Sequence, residues 1–222
     1  MVARFEDRHD AGRRLAAALA HYRGRPNLLV LALPRGGVPV GYEIARALHA
    51  PLDLLLVRKL GVPGQEELAM GAIASGGIRV LSEDVVAALR IPDRVIATIA
   101  ANEEAELARR ERAYRDDRPP PKIRGKIIIL TDDGLATGST MRAAAAAVAS
   151  QDPERLVIAV PVAPPEVCEG LRQVADEVVC AAAPEPFFAV GNWYADFSQT
   201  SDEEVRALLA LADEAFHELP RR

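Results

Sequence analysis

The sequence predicts an α/β fold: a central, mainly parallel sheet flanked by helices, with a small additional region over its edge. Three observations carry this. Short apolar runs alternate along the chain with helix-patterned segments. The runs are apolar at consecutive positions, as strands covered on both faces require. Clusters of Gly, Pro and Asp follow them, where strand would give way to loop and helix. At 222 residues, 50% hydrophobic and 27% charged, the chain reads as a single domain spanning 1–222.

The elements follow in order. Residues 7–22 pattern as a helix with Ala11, Leu15, Ala18 and Leu19 on one face. "NLLVLALP" (27–34) is a buried strand and "VPVGYEIARALHA" (38–50) a helix. "PLDLLLVRKL" (51–60) reads as a second buried strand, and "GVPGQEELAMG" (61–71), punctuated by Gly and Pro, as a mobile loop. "AIASGGIRVL" (72–81) suggests a strand pair about Gly76-Gly77. Ser82 is placed to cap a short helix through Arg90, and Pro92 to open a longer one to about Arg115. Glu106–Arg110 and Glu111–Arg115 give that helix acid-before-base pairs one turn apart. Ile127–Thr131, "RLVIAVPVA" (155–163) and "DEVVCAA" (176–182) are the third, fourth and fifth strands, separated by helices at 141–150 and 164–175. "PEPFFAVGNWYADFSQT" (184–200) is irregular and aromatic-rich. Ser201 to Glu204 form a capping box for a last helix that turns Val205, Leu208, Leu209, Ala212 and Phe216 inward.

Composition narrows the function classes. A net charge of −5 supplies no global field for nucleic acid. No apolar run approaches the ~18 residues of a membrane span, and the acidic start is unlike a signal peptide. Cys168 and Cys180 lack metal or redox spacing; they read as reduced and structural, which favours the cytoplasm. His9, His21, His49 and His217 show no metal or triad spacing and receive no role.

The informative stretch is "KIIILTDDGLATGST", Lys126 to Thr140. It sends a buried strand into two adjacent aspartates, then a loop of small and hydroxylated residues, then a helix. In open parallel sheets ligands bind outside the carboxyl ends of the strands, which locates Asp132 and Asp133. Adjacent carboxylates repel and are costly to bury, so they call for a cation or hydroxyl donors. A ribose offers two vicinal hydroxyls. "GLATGST" supplies backbone N–H groups, three hydroxyls and a helix N-terminus, a cradle suited to phosphate. Diol plus phosphate, one loop apart, describes a ribose 5-phosphate. A P-loop is excluded because no Lys follows Gly138, and the three-glycine dinucleotide fingerprint is absent.

"IIILTDDGLATGST" closely resembles the phosphoribosyl pyrophosphate (PRPP) signature of type I phosphoribosyltransferases: an apolar strand, two acidic residues, a spacer, and Thr-Gly-x-Thr. The resemblance implies that family's Rossmann-like fold with a hood over the acceptor. It also implies a PRPP site made of Asp132, Asp133, Gly134, Ala136, Thr137, Gly138, Ser139 and Thr140, with the aspartates on the ribose hydroxyls. One position departs from part of the family: hypoxanthine-guanine enzymes carry Asp where this chain has Ala136, so the acceptor's proton must go elsewhere. "LPRGG" is similar to the family's pyrophosphate element, which implies Arg35, Gly36 and Gly37. "LLLVRKLGVPG" is similar to the adenine-type arrangement, in which Arg58 and Lys59 approach pyrophosphate beneath a closing loop. The "F-x-D-R" start and "AVGNWYADFSQ" extend the resemblance over the whole chain, to bacterial members whose acceptor is unassigned.

The resemblance implies an enzyme that transfers the 5-phosphoribosyl group from PRPP to a nucleobase-like acceptor, a purine first, and releases pyrophosphate. The residues expected to carry the chemistry are Asp132, Asp133, Arg58 and Lys59, with the arginines and lysine adding positive charge where negative charge develops. Mg²⁺ is the implied cofactor, held mainly through PRPP with Asp132 or Asp133 as contacts and no other protein ligand assigned. Phe187, Phe188, Trp193 and Tyr194 are the acceptor-stacking candidates, and 92–118 and 184–200 the candidate hood elements. The partners expected are PRPP and a small-molecule acceptor, not nucleic acid or membrane, in a cytoplasmic protein; the family implies a homodimer as the common assembly. The alternative is a non-catalytic PRPP sensor, which would need a nucleic-acid surface such as Arg109, Arg110, Arg112 and Arg115. A third reading is hydrolysis or phosphorolysis at the same site.

Overall fold

The computed structural model describes residues 4–115 and 119–217. Five strands form the expected parallel sheet: β1 (Leu28–Ala32), β2 (Leu52–Leu54), β6 (Ile127–Thr131), β7 (Arg155–Val162) and β8 (Glu177–Ala182), in the order β2-β1-β6-β7-β8. Every residue of β1 and β6 is buried, which is why these central strands read as unbroken apolar runs. Successive side chains serve opposite faces. Leu28, Val30, Ile127 and Ile129 pack under α1 (Arg8–Ala18) and α2 (Gly37–Leu48). Leu29, Leu31, Ile128 and Leu130 pack under α5 (Ser139–Ala149) and α6 (Pro165–Leu171).

A second, three-stranded antiparallel sheet lies beside the first: β3 (Val57–Val62), β4 (Gln65–Ala74) and β5 (Ile78–Leu81). This corrects two expectations. The run 51–60 is not one strand: the chain leaves the parallel sheet after Leu54 and enters the second sheet at Val57. The segment 61–71 is not a mobile loop but the β3–β4 hairpin. Its Pro63-Gly64 pair makes the turn, with Gly64 at φ +77°, and Leu60, Val62, Met70 and Ile73 bury a face against Ile96, Ala100 and Leu107 of α4 (Asp93–Arg115). The turn signal was real; a long loop was the wrong inference from it. The expected strand pair about Gly76-Gly77 is the β4–β5 hairpin.

Ser82 stands before α3 (Glu83–Ala88) without accepting a side-chain cap hydrogen bond. Ser201 does cap α7 (Asp202–His217), accepting from the Glu204 N–H at 3.1 Å. Val205, Leu208, Leu209 and Ala212 are buried as expected, but Phe216, near the end of that helix, is 39% exposed. The cysteines also depart from expectation. Cys168 on α6 and Cys180 on β8 are disulfide-bonded, because the helix packs back on the strand that follows it and brings their Cα atoms to 6.5 Å. No helix among the described residues is long and apolar enough to cross a membrane. The end of the expected 92–118 element lies outside the described residues, at 116–118.

Candidate active site

The acidic pair leaves the sheet at the carboxyl end of β6. Thr131 closes that strand with a buried hydroxyl that donates to the Ala159 carbonyl at 2.6 Å. Asp132 then accepts from the Asp133 N–H at 2.8 Å through its own Oδ1, a turn that sets the two carboxylates side by side. Burial pushes the Asp132 carboxyl well up from its ordinary range, and the Asp133 charge adds to this. Burial also raises Asp133, opposed by the guanidinium of Arg8. Arg8 Nε donates to Asp133 Oδ2 at 2.8 Å, and the two side chains are 11% and 16% exposed.

The glycines of "PRGG" are explained by these aspartates. A Cβ on Gly36 would run into the Asp133 carboxylate, and one on Gly37 would stand 2.9 Å from Asp132 Cα and 3.0 Å from the Thr131 carbonyl. The β1–α2 turn therefore lies directly on the acidic pair, and only a residue without a side chain allows that approach. The Pro34–Arg35 peptide in this turn is cis. Arg35 itself reaches away, 3.4 Å from Asp202 Oδ1 at the start of α7, where the Tyr114 hydroxyl also donates at 2.9 Å.

The loop after the aspartates has the predicted form. Gly138 adopts φ +71° before α5, Thr137 and Thr140 are exposed, and Ser139 is half-buried. The Ser139 N–H and the Thr137 hydroxyl lie 3.4 Å apart. Gly134 has φ +153°, and a Cβ there would stand 3.0 Å from Val162 Cγ1 and meet Val190 as well, so the 184–200 segment closes on the loop from behind.

Arg58 and Lys59 sit within β3 rather than at a strand end before a loop. Strand alternation turns them to opposite faces. Arg58 Nε pairs with Glu103 of α4 at 2.5 Å, and Arg58 lines a small cavity of about 40 Å³ with Pro34, Leu107, Arg110 and Thr140. Arg58 thus stands beside both the Pro34 turn and Thr140 at the start of α5, and Lys59 does not line that cavity.

The four aromatic candidates also divide. Tyr194 is 4% exposed and packs on Phe5, and its hydroxyl donates to the Asp133 carbonyl. Burial, then the Asp133 charge, raise its pKa, so it remains a donor. Trp193 packs on the same cluster, with its Nε1 buried and without a partner. Tyr194 is therefore interior, and Trp193 is half-buried. Phe188 is 80% exposed, and with Phe187 it borders a cavity of about 570 Å³ between Ala136-Thr137, Pro164-Pro165 and Glu185. Sequence reasoning missed Arg8, Ser198, Glu103 and Asp202, each of which pairs with a site residue from a distant part of the chain. For Arg8 the available signal was the "F-x-D-R" start.

A model of the phosphoribosyl transferase domain matches residues 2–192. The chain belongs to that family. Two Mycobacterium tuberculosis proteins, MT0597 of strain CDC 1551 and Rv0571c of strain H37Rv, are provisionally named phosphoribosyl transferases. Each is 46% identical over 214 residues, covering 96% of this chain and 48% of theirs. This phosphoribosyl transferase chain therefore spans about half the length of the curated relatives it matches. The crystal structure of TT1426 from Thermus thermophilus is similar along nearly the whole chain, with a TM-score of 0.85 at 45% identity, covering 93% of this chain and 97% of that one.

Proposed function

We propose that the chain binds PRPP with Mg²⁺ and transfers its 5-phosphoribosyl group to a nucleobase-like acceptor, a purine being the first candidate. The observation that carries this reading is the packing of Gly36 and Gly37 against Asp132 and Asp133, one loop before the start of α5. The β1–α2 turn and the acidic pair thus meet at the ends of two adjacent strands, which supports reading them as a pyrophosphate turn and a diol-binding pair beside a phosphate cradle. Asp132 and Asp133 accept from the ribose hydroxyls, and residues Ala136 to Thr140 wrap the 5-phosphate. An acceptor nitrogen forms the bond to C1 of the sugar, and the C1–O bond breaks with its electron pair leaving on pyrophosphate. The developing cation on the sugar lies near the carboxylates, as in glycoside hydrolysis. Arg35 and Arg58 then serve the leaving group, exchanging their carboxylate partners Asp202 and Glu103 for pyrophosphate oxygens.

The donor set suits Mg²⁺. That ion typically takes one or two carboxylates and fills the rest of its octahedron with substrate oxygens and water. No larger cluster of metal-ligating side chains occurs among the described residues. Asp132 and Asp133 would hold it, and when bound it neutralises charge on the pyrophosphate.

The acceptor enters the cavity between Ala136 and Phe188, with the exposed Phe188 ring as the stacking face and 184–200 as the hood. Ala136 supplies no carboxylate, so the acceptor's proton leaves to water or to Glu166 or Glu185, which line the cavity. The donor is a phosphorylated sugar that does not cross membranes unaided, which keeps the proposed reaction in the cytoplasm; the bonded cysteines add nothing to that placement. The test is pyrophosphate release from PRPP and Mg²⁺ with a panel of purines and pyrimidines against a no-base control. Release that depends on one base is the expected result. Release without a base would replace transfer with hydrolysis. Bound PRPP with no release would favour a sensor.

A further inference from the structure

Asp133 is tied to more than the sugar. Its Oδ2 is enclosed by Arg8 Nε at 2.8 Å and by the backbone of Gly36, whose Cβ position would also lie 3.2 Å from that same Nε. The Arg8 pair thus engages Oδ2 and leaves Oδ1 outside it. The same guanidinium donates to the Ser198 carbonyl at 2.6 Å and stacks on the Phe197 ring, 4.0 Å from its centroid. One planar cation thus spans the first turn of α1, the acidic pair and the end of the 184–200 segment. Backbone hydrogen bonds join the same pieces. Phe5 N–H donates to the Trp193 carbonyl at 2.9 Å, and Ala195 and Asp196 donate back to the Phe5 and Glu6 carbonyls at 2.8 Å.

We propose that Arg8 is a positioning residue for the ribose. By holding Oδ2 of Asp133 it presents Oδ1 to the sugar, and through Ser198 and Phe197 it couples the filling of the sugar site to the seating of the covering segment. The guanidinium suits this role because its planar fork presents separate N–H groups to the carboxylate and the carbonyl while its face stacks on the ring, a geometry that a compact ammonium does not reproduce. The proposal rests on the ribose-binding role assigned to Asp133.

The test compares Arg8→Gln, Arg8→Lys and Phe197→Leu by calorimetry with PRPP, by steady-state kinetics, and by ligand-free hydrogen exchange over 194–198. Arg8→Gln should weaken PRPP binding roughly tenfold or more, with kcat at saturation falling less than about threefold. Arg8→Lys should recover part of the affinity. Exchange over 194–198 should rise in Arg8→Gln before any ligand is added. A merely structural Arg8 would instead lower melting temperature and active fraction with KM for PRPP unchanged, and that pattern overturns the proposal. Should Arg8→Gln fail to fold, Phe197→Leu keeps the Arg8–Asp133 pair and removes the ring beneath it. Unchanged PRPP affinity together with unchanged exchange in that variant also overturns it. Wild-type protein that does not bind PRPP would sink the transferase reading. The exchange measurement then decides the coupling alone: a rise in Arg8→Gln supports it and no rise overturns it.

Discussion

The two sheets present their functional groups in different ways. The parallel sheet works through backbone: a strand end, a turn between adjacent aspartates, glycines pressed onto that turn, and the first turn of α5. The antiparallel sheet works through a long side chain, that of Arg58, held by Glu103 on α4 and 32% exposed. Backbone sites have little freedom to adjust, because closely packed interiors transmit small displacements. A half-exposed ion pair exchanges partners at small cost, since such pairs contribute ~0–1 kcal/mol. On the proposed function, the ribose and phosphate sites would be rigid, and the cation for pyrophosphate would come from an element that can let go of its resting partner.

That contrast orders the expected effects. Gly36→Ala should do the most harm. The new methyl group meets the Asp133 carboxylate, and displacing a reacting group by about 1 Å can cost ~100-fold. A fall of that size in kcat/KM for PRPP, in protein that still melts cooperatively, is the result to look for. Wild-type kinetics would show that the turn and the aspartates are not one rigid site. Asp133→Asn comes next, because it removes a charged acceptor and unpairs Arg8. PRPP affinity by calorimetry should fall by roughly 10- to 100-fold while the circular dichroism spectrum keeps its α/β form. Unchanged affinity would refute the ribose assignment. Arg58→Gln should be mildest, lowering kcat about tenfold with little change in melting temperature or acceptor KM. If it proved as damaging as Gly36→Ala, the hairpin would have to be counted part of the rigid site.

The legibility of the sequence divides along the same line. The parallel sheet, the acidic pair and the phosphate loop were readable because each is a local pattern: four apolar residues into Asp-Asp, small residues, a helix. The β3–β4 hairpin was misread because Pro63-Gly64 states that the chain turns and says nothing of whether its flanks pair. The resemblance marked "PRGG" as a turn after a strand, but not what its glycines pack against. Gly36 and Gly37 are small because of Asp133 and Asp132, some hundred residues later. The aromatic cluster read as one group because its members are neighbours in sequence. The fold buries Tyr194, half-buries Trp193 beside it and leaves Phe188 outside. Arg8 carried only the "F-x-D-R" resemblance, and its pairing with Asp133, like those of Glu103 and Asp202, was out of reach: a pairing across the chain leaves no local trace in a single sequence.

The strap between the start of the chain and residues 193–198 has a consequence for biosynthesis. Its partners stand 190 residues apart along the chain, and both Phe197 and Ser198 follow β8, so the parallel sheet can be built before Arg8 has them to engage. A chain interrupted before residue 197 would carry Arg8 and Asp133 without the ring and the carbonyl that Arg8 engages.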